Sequence, residues 1–140
     1  MRILVIDAQG GGLGRQLVSA IKKELPESQV TAVGTNSMAT AAMLRAGADQ
    51  AATGENAVVV NCRRADVIAG PIGIVIADAL LGEITPAMAA AVGQSPAKRL
   101  LIPMNHCDNM VMGVAGGTGQ MIAETVDRLR ALAVEESPGR

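Results

Sequence analysis

The sequence predicts a doubly wound α/β fold, with a mostly parallel sheet in the order 3-2-1-4-5 and helices on both faces. Three observations predict it. Apolar runs of strand length alternate with segments of helical periodicity along the whole chain. The first of these runs passes through a cluster of glycines directly into a helical stripe. Alternating strands and helices close into a parallel sheet through right-handed crossovers, which leaves few topologies to consider.

Ile3-Leu4-Val5-Ile6 is a continuous apolar run, as in a strand buried on both faces. After Gly10, Gly11, Gly12 and Gly14, the residues Leu13, Leu17, Ile21 and Leu25 recur at helical spacing, and Pro26 ends that helix. Val30-Thr31-Ala32-Val33 reads as the second strand. Ser37 is the expected N-cap of a helix from Met38 to Ala46, with Gly47 closing it. A short third strand is expected over Ala48 to Ala52, then a helix opening at Thr53 or Asn56 and ending near Arg64. Val67-Ile68-Ala69 forms the fourth strand, ended by Gly70-Pro71. The apolar stretch from Ile72 to Leu81 is expected to be helical on length and Ala content. Thr85-Pro86 pairs an N-cap with proline at the first helical position, opening a helix to Val92. Leu100-Leu101-Ile102 is the fifth strand, and Asn109 to Val114 is read as an extra edge strand. Gly116 to Gly119 leads into a terminal helix whose Ile122, Val126, Leu129 and Leu132 share a face. Residues 1–134 are read as one domain and 135–140 as a frayed polar tail.

Composition narrows the function. The 140 residues include no Phe, Tyr or Trp and eight Met, so Ile, Leu, Val, Ala and Met must fill the core. No base can stack on an aromatic platform, and 12 Lys plus Arg against 13 Asp plus Glu leave no basic excess, so nucleic-acid binding is not expected. No apolar run is long enough for a membrane span, and no export signal precedes the first strand, so a cytoplasmic protein with reduced thiols is expected.

The segment Val5 to Gly14 sits where dinucleotide-binding folds carry their glycine fingerprint, so the architecture is read as Rossmann-like. Its spacing departs from GxGxxG, because Gln9 stands at the first required glycine. It resembles the loop of the short-chain dehydrogenase/reductase family at Gly12, Leu13 and Gly14, with Asp7 and Ala8 where that family has Thr and Gly. The catalysis of that family needs a Tyr this chain lacks, and no Asp or Glu ends the second strand to grip a ribose diol. The resemblance therefore implies topology and not hydride transfer.

A closer resemblance runs over about residues 1 to 115. The segments VIDAQGGGLGRQ, VGTNSMATAAMLRAGA, TGENAVVVNCRRADVIAGPIGI and LGEITPAMAAAV, in that order, are similar to a small bacterial family described as a domain of unknown function. Its pattern has Gly at position 8, where this chain has Ala8. The resemblance implies a cytoplasmic bacterial protein and assigns no chemistry.

Three functions are weighed. The first is a small phosphorylated ligand, with a nucleotide or dinucleotide as the candidate cofactor. Gln9, Gly10, Gly11, Gly12 and Gly14 would position its phosphate, because a helix N-terminus offers unpaired N–H groups and about half a positive charge. Arg15 would assist. Thr35 and Asn36 would contact the sugar or base, Gly70, Pro71, Ile72 and Gly73 would form the opposite wall, and Asn105 would supply an amide. The same loop could instead be a tight turn holding no ligand. The second is a non-enzymatic accessory subunit, a homo-oligomer joined through exposed Met and Ala-rich helices. The third is a metal or thiol site at His106 and Cys107, with Cys62 brought in by folding, against a bland reading as a polar loop and an inert buried thiol. Glu55, Asp66 and Glu83 are candidate general bases without a second group at a defensible distance, so no catalytic constellation is assigned. The loop 116–119 is open between a second ligand cradle and a turn capped by Thr118.

Overall fold

The computed structural model describes residues 1–104 and 109–136. Its elements in chain order are β1 (Arg2–Asp7), α1 (Gly12–Glu24), β2 (Gln29–Gly34), α2 (Ser37–Arg45), β3 (Gln50–Thr53), α3 (Glu55–Cys62), β4 (Val67–Pro71), α4 (Pro86–Gln94), β5 (Lys98–Ile102) and α5 (Thr118–Glu136). The five strands form one parallel sheet in the order β3-β2-β1-β4-β5, the expected doubly wound α/β arrangement. The chain order reverses between β1 and β4, so the crevice above their carboxyl ends is the topological switch point where open α/β sheets hold ligands.

Side-chain alternation along β1 splits the core in two. Ile3 and Val5 face α1, α2 and α5, where they meet Leu17, Ile21, Met43, Val126 and Leu129. Leu4 and Ile6 face α3 and α4, against Val58, Ile68, Ile74, Ile84 and Val92. Both faces of β1 are therefore covered, which is why its sequence is a continuous apolar run rather than an alternating one.

Four local expectations are corrected. The N-cap of α2 is Asn36 rather than Ser37; its side chain accepts the Ala39 N–H at 2.9 Å. The stretch after β4 is no helix beyond a single 3-10 turn, Ile72–Val75. Its Ile72, Val75, Ile76, Ala79 and Leu80 fall at helical spacing, and tertiary packing overrides that pattern. Ala79, Leu80 and Ile84 are instead buried by a loop, tied at its neck where the Asp78 N–H donates to the Ile84 carbonyl at 2.7 Å. Residues 109–114 form coil and a turn, not an edge strand. Met110 and Met112 are exposed at 85% and 80%, so no buried face holds that segment against β5. Finally, α5 continues through Glu135 and Glu136, two residues into the segment expected to fray. Thr85 and Pro86 open α4 as expected, with the Thr85 hydroxyl accepting the Met88 N–H.

Candidate functional site

The loop between β1 and α1 is shaped by Asp7 and by two of its glycines. Asp7, the last residue of β1, is buried. One carboxylate oxygen accepts the Gly14 N–H at 2.6 Å and the other the Ala8 N–H at 2.8 Å. A carboxylate aimed at the third amide of α1 favours the positive end of that helix. Burial pushes the Asp7 carboxyl upward in pKa, against those two N–H bonds, and the nearby Glu83 charge pushes it further. The helix start thus already holds one carboxyl group of the protein's own.

The glycines divide into two pairs. Gly11 has φ +72°, and a Cβ there would meet the Ala39 backbone at 2.8 Å. At Gly14 a Cβ would meet the Met43 sulfur at 2.6 Å and the Asp7 Cβ at 2.8 Å. These two let α1 close onto α2 and Asp7. At Gly10 and Gly12 a Cβ would meet nothing within 4 Å, so packing makes no demand for glycine there. The Gly12 and Leu13 N–H groups, the first two of α1, have no acceptor among the described residues.

The second part of the rim is the loop 76–84, which crosses from the end of β4 toward the ends of β1 and β2. Asp78, Leu80 and Leu81 have φ of +65°, +57° and +58°, a cluster of left-handed backbone outside glycine. The loop delivers Glu83. Its Oε1 accepts from the Asn36 side-chain amide at 2.7 Å, the Thr35 hydroxyl at 2.8 Å and the Gln9 N–H at 3.2 Å. Its Oε2 accepts from the Gln9 N–H at 3.1 Å and from no other described residue. Burial pushes the Glu83 carboxyl upward, but the bonds from Asn36, Thr35 and Gln9 outweigh it and hold the pKa below the ordinary range. Asn36 also donates to the Gln9 carbonyl at 2.9 Å, and Gln9 itself has φ +52°.

Three sets of expected site residues thus have definite places. Gln9, Thr35 and Asn36 converge, and they converge on Glu83. Gly70, Pro71 and Gly73 are buried rather than lining an open wall. A Cβ at Gly70 would strike the Ile6 carbonyl, and at Gly73 it would touch Leu80 at 3.4 Å beneath the 76–84 loop. Arg15 is exposed and lines a groove of about 730 Å³ between α1, α2 and the start of α5, with Lys23 and Arg45. Gly119, from the second glycine-rich segment, borders the same groove.

Asn105, His106, Cys107 and Asp108 lie outside the described residues. Cys62 is buried, and desolvation pushes its thiol up to about 11, the behaviour of an inert core cysteine. It ends α3 near the starts of the strands, where the Ser95 hydroxyl donates to its carbonyl at 2.6 Å. Among the described residues no group of three His, Cys, Asp or Glu side chains could hold a metal ion. No helix among them is long and apolar enough to cross a membrane.

A family model matches residues 2–134. The chain belongs to that family, described as Domain of unknown function (DUF3842). No curated protein matches its sequence. A solved structure, a dodecameric FMN-dependent UbiX-like decarboxylase from Escherichia coli O157:H7, is similar to this chain at 18% identity and a TM-score of 0.48. The match covers 91% of this chain and 76% of that one.

Sequence reasoning missed the role of Glu83. It noted that no acid ends β2, whereas the fold brings one there from some fifty residues away, bonded to the Thr35 and Asn36 that do follow β2. The only sequence signal was the Leu81-Gly82-Glu83 turn just ahead of a capped helix.

Proposed function

We propose that this DUF3842 chain binds a nucleotide or another phosphorylated small molecule at the loop between β1 and α1. The observation that carries this reading is the open pair, Gly10 and Gly12, beside the acceptor-free Gly12 and Leu13 amides. Glycine at positions with open space beside them leaves the backbone accessible to a ligand. The switch-point position of the loop and the exposed Arg15 guanidinium support it. Asp7 takes the Gly14 amide, so the phosphate subsite is confined to residues 10–13 and the Arg15 side. Gly70, Pro71 and Gly73 act through packing beneath it.

A thermal-melt panel against nucleotides, dinucleotides and sugar phosphates tests the reading. A bound ligand at 100 times its Kd stabilises by about 2.7 kcal/mol, a rise of several degrees for a chain of this size. Gly12→Val should fold normally and lose that rise. No rise with any compound would remove the reading.

A second function, self-association, is favoured by Met110, Met112 and Val114, three neighbouring apolar side chains left exposed, and by Met38 and Leu44 on α2. Sedimentation analysis should then give a homo-oligomer that Met110→Glu with Met112→Glu dissociates.

A further inference from the structure

We infer that Glu83 accepts hydrogen bonds from vicinal hydroxyls of the ligand, so that the ligand is a ribonucleoside phosphate with its 2′,3′-diol free. The inference rests on the phosphate reading above and adds the sugar to it.

Glu83 is held by three donors of the chain, and they load its two oxygens unequally. Oε1 takes Asn36, Thr35 and a share of the Gln9 N–H, whereas Oε2 takes only the other share, at 3.1 Å. A carboxylate has about four acceptor positions, so Oε2 keeps capacity for donors from outside. The side chain is half-buried, not sealed, and solvent reaches it. Fixed in place and ionised, it is an acceptor whose geometry is set before a ligand arrives.

Charge decides what that ligand presents there. Asp7 lies close enough to Glu83 that the Glu83 charge raises its carboxyl pKa. A phosphate seated at Glu83 would face a bare carboxylate, whereas a hydroxyl donates to it. The phosphate belongs on the other side of the loop, at the Gly12 and Leu13 amides near Arg15. Gln9, whose N–H touches Glu83, is three residues from Gly12, a span of at most about 10 Å of chain. One nucleotide bridges that distance with its diol at one end and its 5′-phosphate at the other.

The backbone cost points the same way. Three residues other than glycine sit in the left-handed region within the six residues before Glu83, and the loop closes on itself through the Asp78-to-Ile84 bond. Such backbone is unfavourable outside glycine, and such strain clusters at functional sites.

Binding of the four ribonucleoside 5′-monophosphates and their 2′,3′-dideoxy counterparts to the intact chain, by calorimetry, tests the inference. At least one ribonucleotide should bind, and its dideoxy form should bind roughly tenfold to a hundredfold more weakly, the worth of hydrogen bonds to a charged acceptor. Glu83→Gln should bring the two forms within about threefold of each other by weakening the ribonucleotide. Equal affinities in the native chain, with both lost in Gly12→Val, would overturn the diol inference and leave the phosphate reading standing. No binding by any of the eight would overturn the diol inference, and the phosphate reading would then fall only if the dinucleotides and sugar phosphates also gave no rise in the thermal melt. Tighter ribonucleotide binding in Glu83→Gln would also overturn it, because Glu83 would then be an anion occupying the site against the ligand. The ribo-to-dideoxy ratio in the native chain decides the matter even if the variant fails to fold.

Discussion

The loop 8–14 and the loop 76–84 meet over the same end of the sheet, and each carries one carboxylate, but the two are built in opposite ways. The first turns tightly with Gly11 in the left-handed region and buries Asp7 beneath the start of α1. The second forces Asp78, Leu80 and Leu81 into left-handed backbone and holds Glu83 where solvent reaches it. Asp7 is an acid pushed up by burial, and Glu83 is an acid held down by its donors. The difference teaches which feature belongs to the fold and which is left over for a ligand. Asp7 and Gly14 complete the packing of α1. Gly10, Gly12 and Glu83 do more than packing requires.

Several changes would break or sharpen that contrast. The largest effect is expected beneath the second loop, where Gly70→Val drives a side chain into the Ile6 carbonyl of the neighbouring strand. It should cost about 3 kcal/mol or more in urea unfolding, with chain that does unfold showing an unchanged m-value. Asp7→Ala should come next, at about 1–3 kcal/mol, because the buried Gly14 and Ala8 N–H groups lose their acceptors. Glu83→Ala should cost about 0.5–1.5 kcal/mol and should act locally. Hydrogen exchange should speed up at Gln9 and across 76–84 while β1 and β4 stay protected. Gly12→Ala should be neutral or slightly stabilising, since the position is the first of α1 with open space beside it. A loss of 2 kcal/mol there would contradict the division of the glycines into two pairs.

The two carboxylates also predict opposite dependences on pH. Glu83 binds its proton less readily in the folded chain, so its contribution is present above the ordinary carboxylate range and is lost as pH falls through its depressed folded value. Asp7 binds its proton more readily when folded. Its contribution is present below the ordinary range and is lost as pH rises toward its raised folded value. Carboxyl carbon shifts followed by NMR should therefore place the Asp7 midpoint above the ordinary aspartate range and the Glu83 midpoint below the ordinary glutamate range. Shifts of the opposite sign would mean that the burial of one and the bonding of the other are misassigned.

The strands were legible because β1 and β4 are buried on both faces and so keep uninterrupted apolar runs, and because Pro26, Gly47 and the Thr85-Pro86 pair punctuate the helices. The 76–84 loop was not legible. Ile72 and Ile74 in the turn before it, followed by its own Ile76, Ala79 and Leu80, are as apolar as a helix, and only tertiary packing decides that they close a loop instead. The edge strand at 109–114 failed for the converse reason. Met110 and Met112 alternate, but both are exposed, and alternation without a burying partner has no energy to hold a strand. At the site, Gly10 to Gly14 could be located but not sorted, because sorting them needs Ala39, Met43 and Asp7 in position around them. Glu83 was a named acid with no partner in sequence, since Thr35 and Asn36 lie nearly fifty residues away.

The central claim is that the open face of the first loop receives a phosphate. Its most direct test is a titration of the ¹⁵N-labelled chain with a nucleoside 5′-phosphate, read at the backbone amides. Saturable shifts are expected, largest at Gly10, Gly12 and Leu13, with a second group at Gln9, Thr35 and Asn36, all absent in Gly12→Val. Shifts confined to the Arg15, Lys23 and Arg45 groove, or none at saturating ligand, would contradict it.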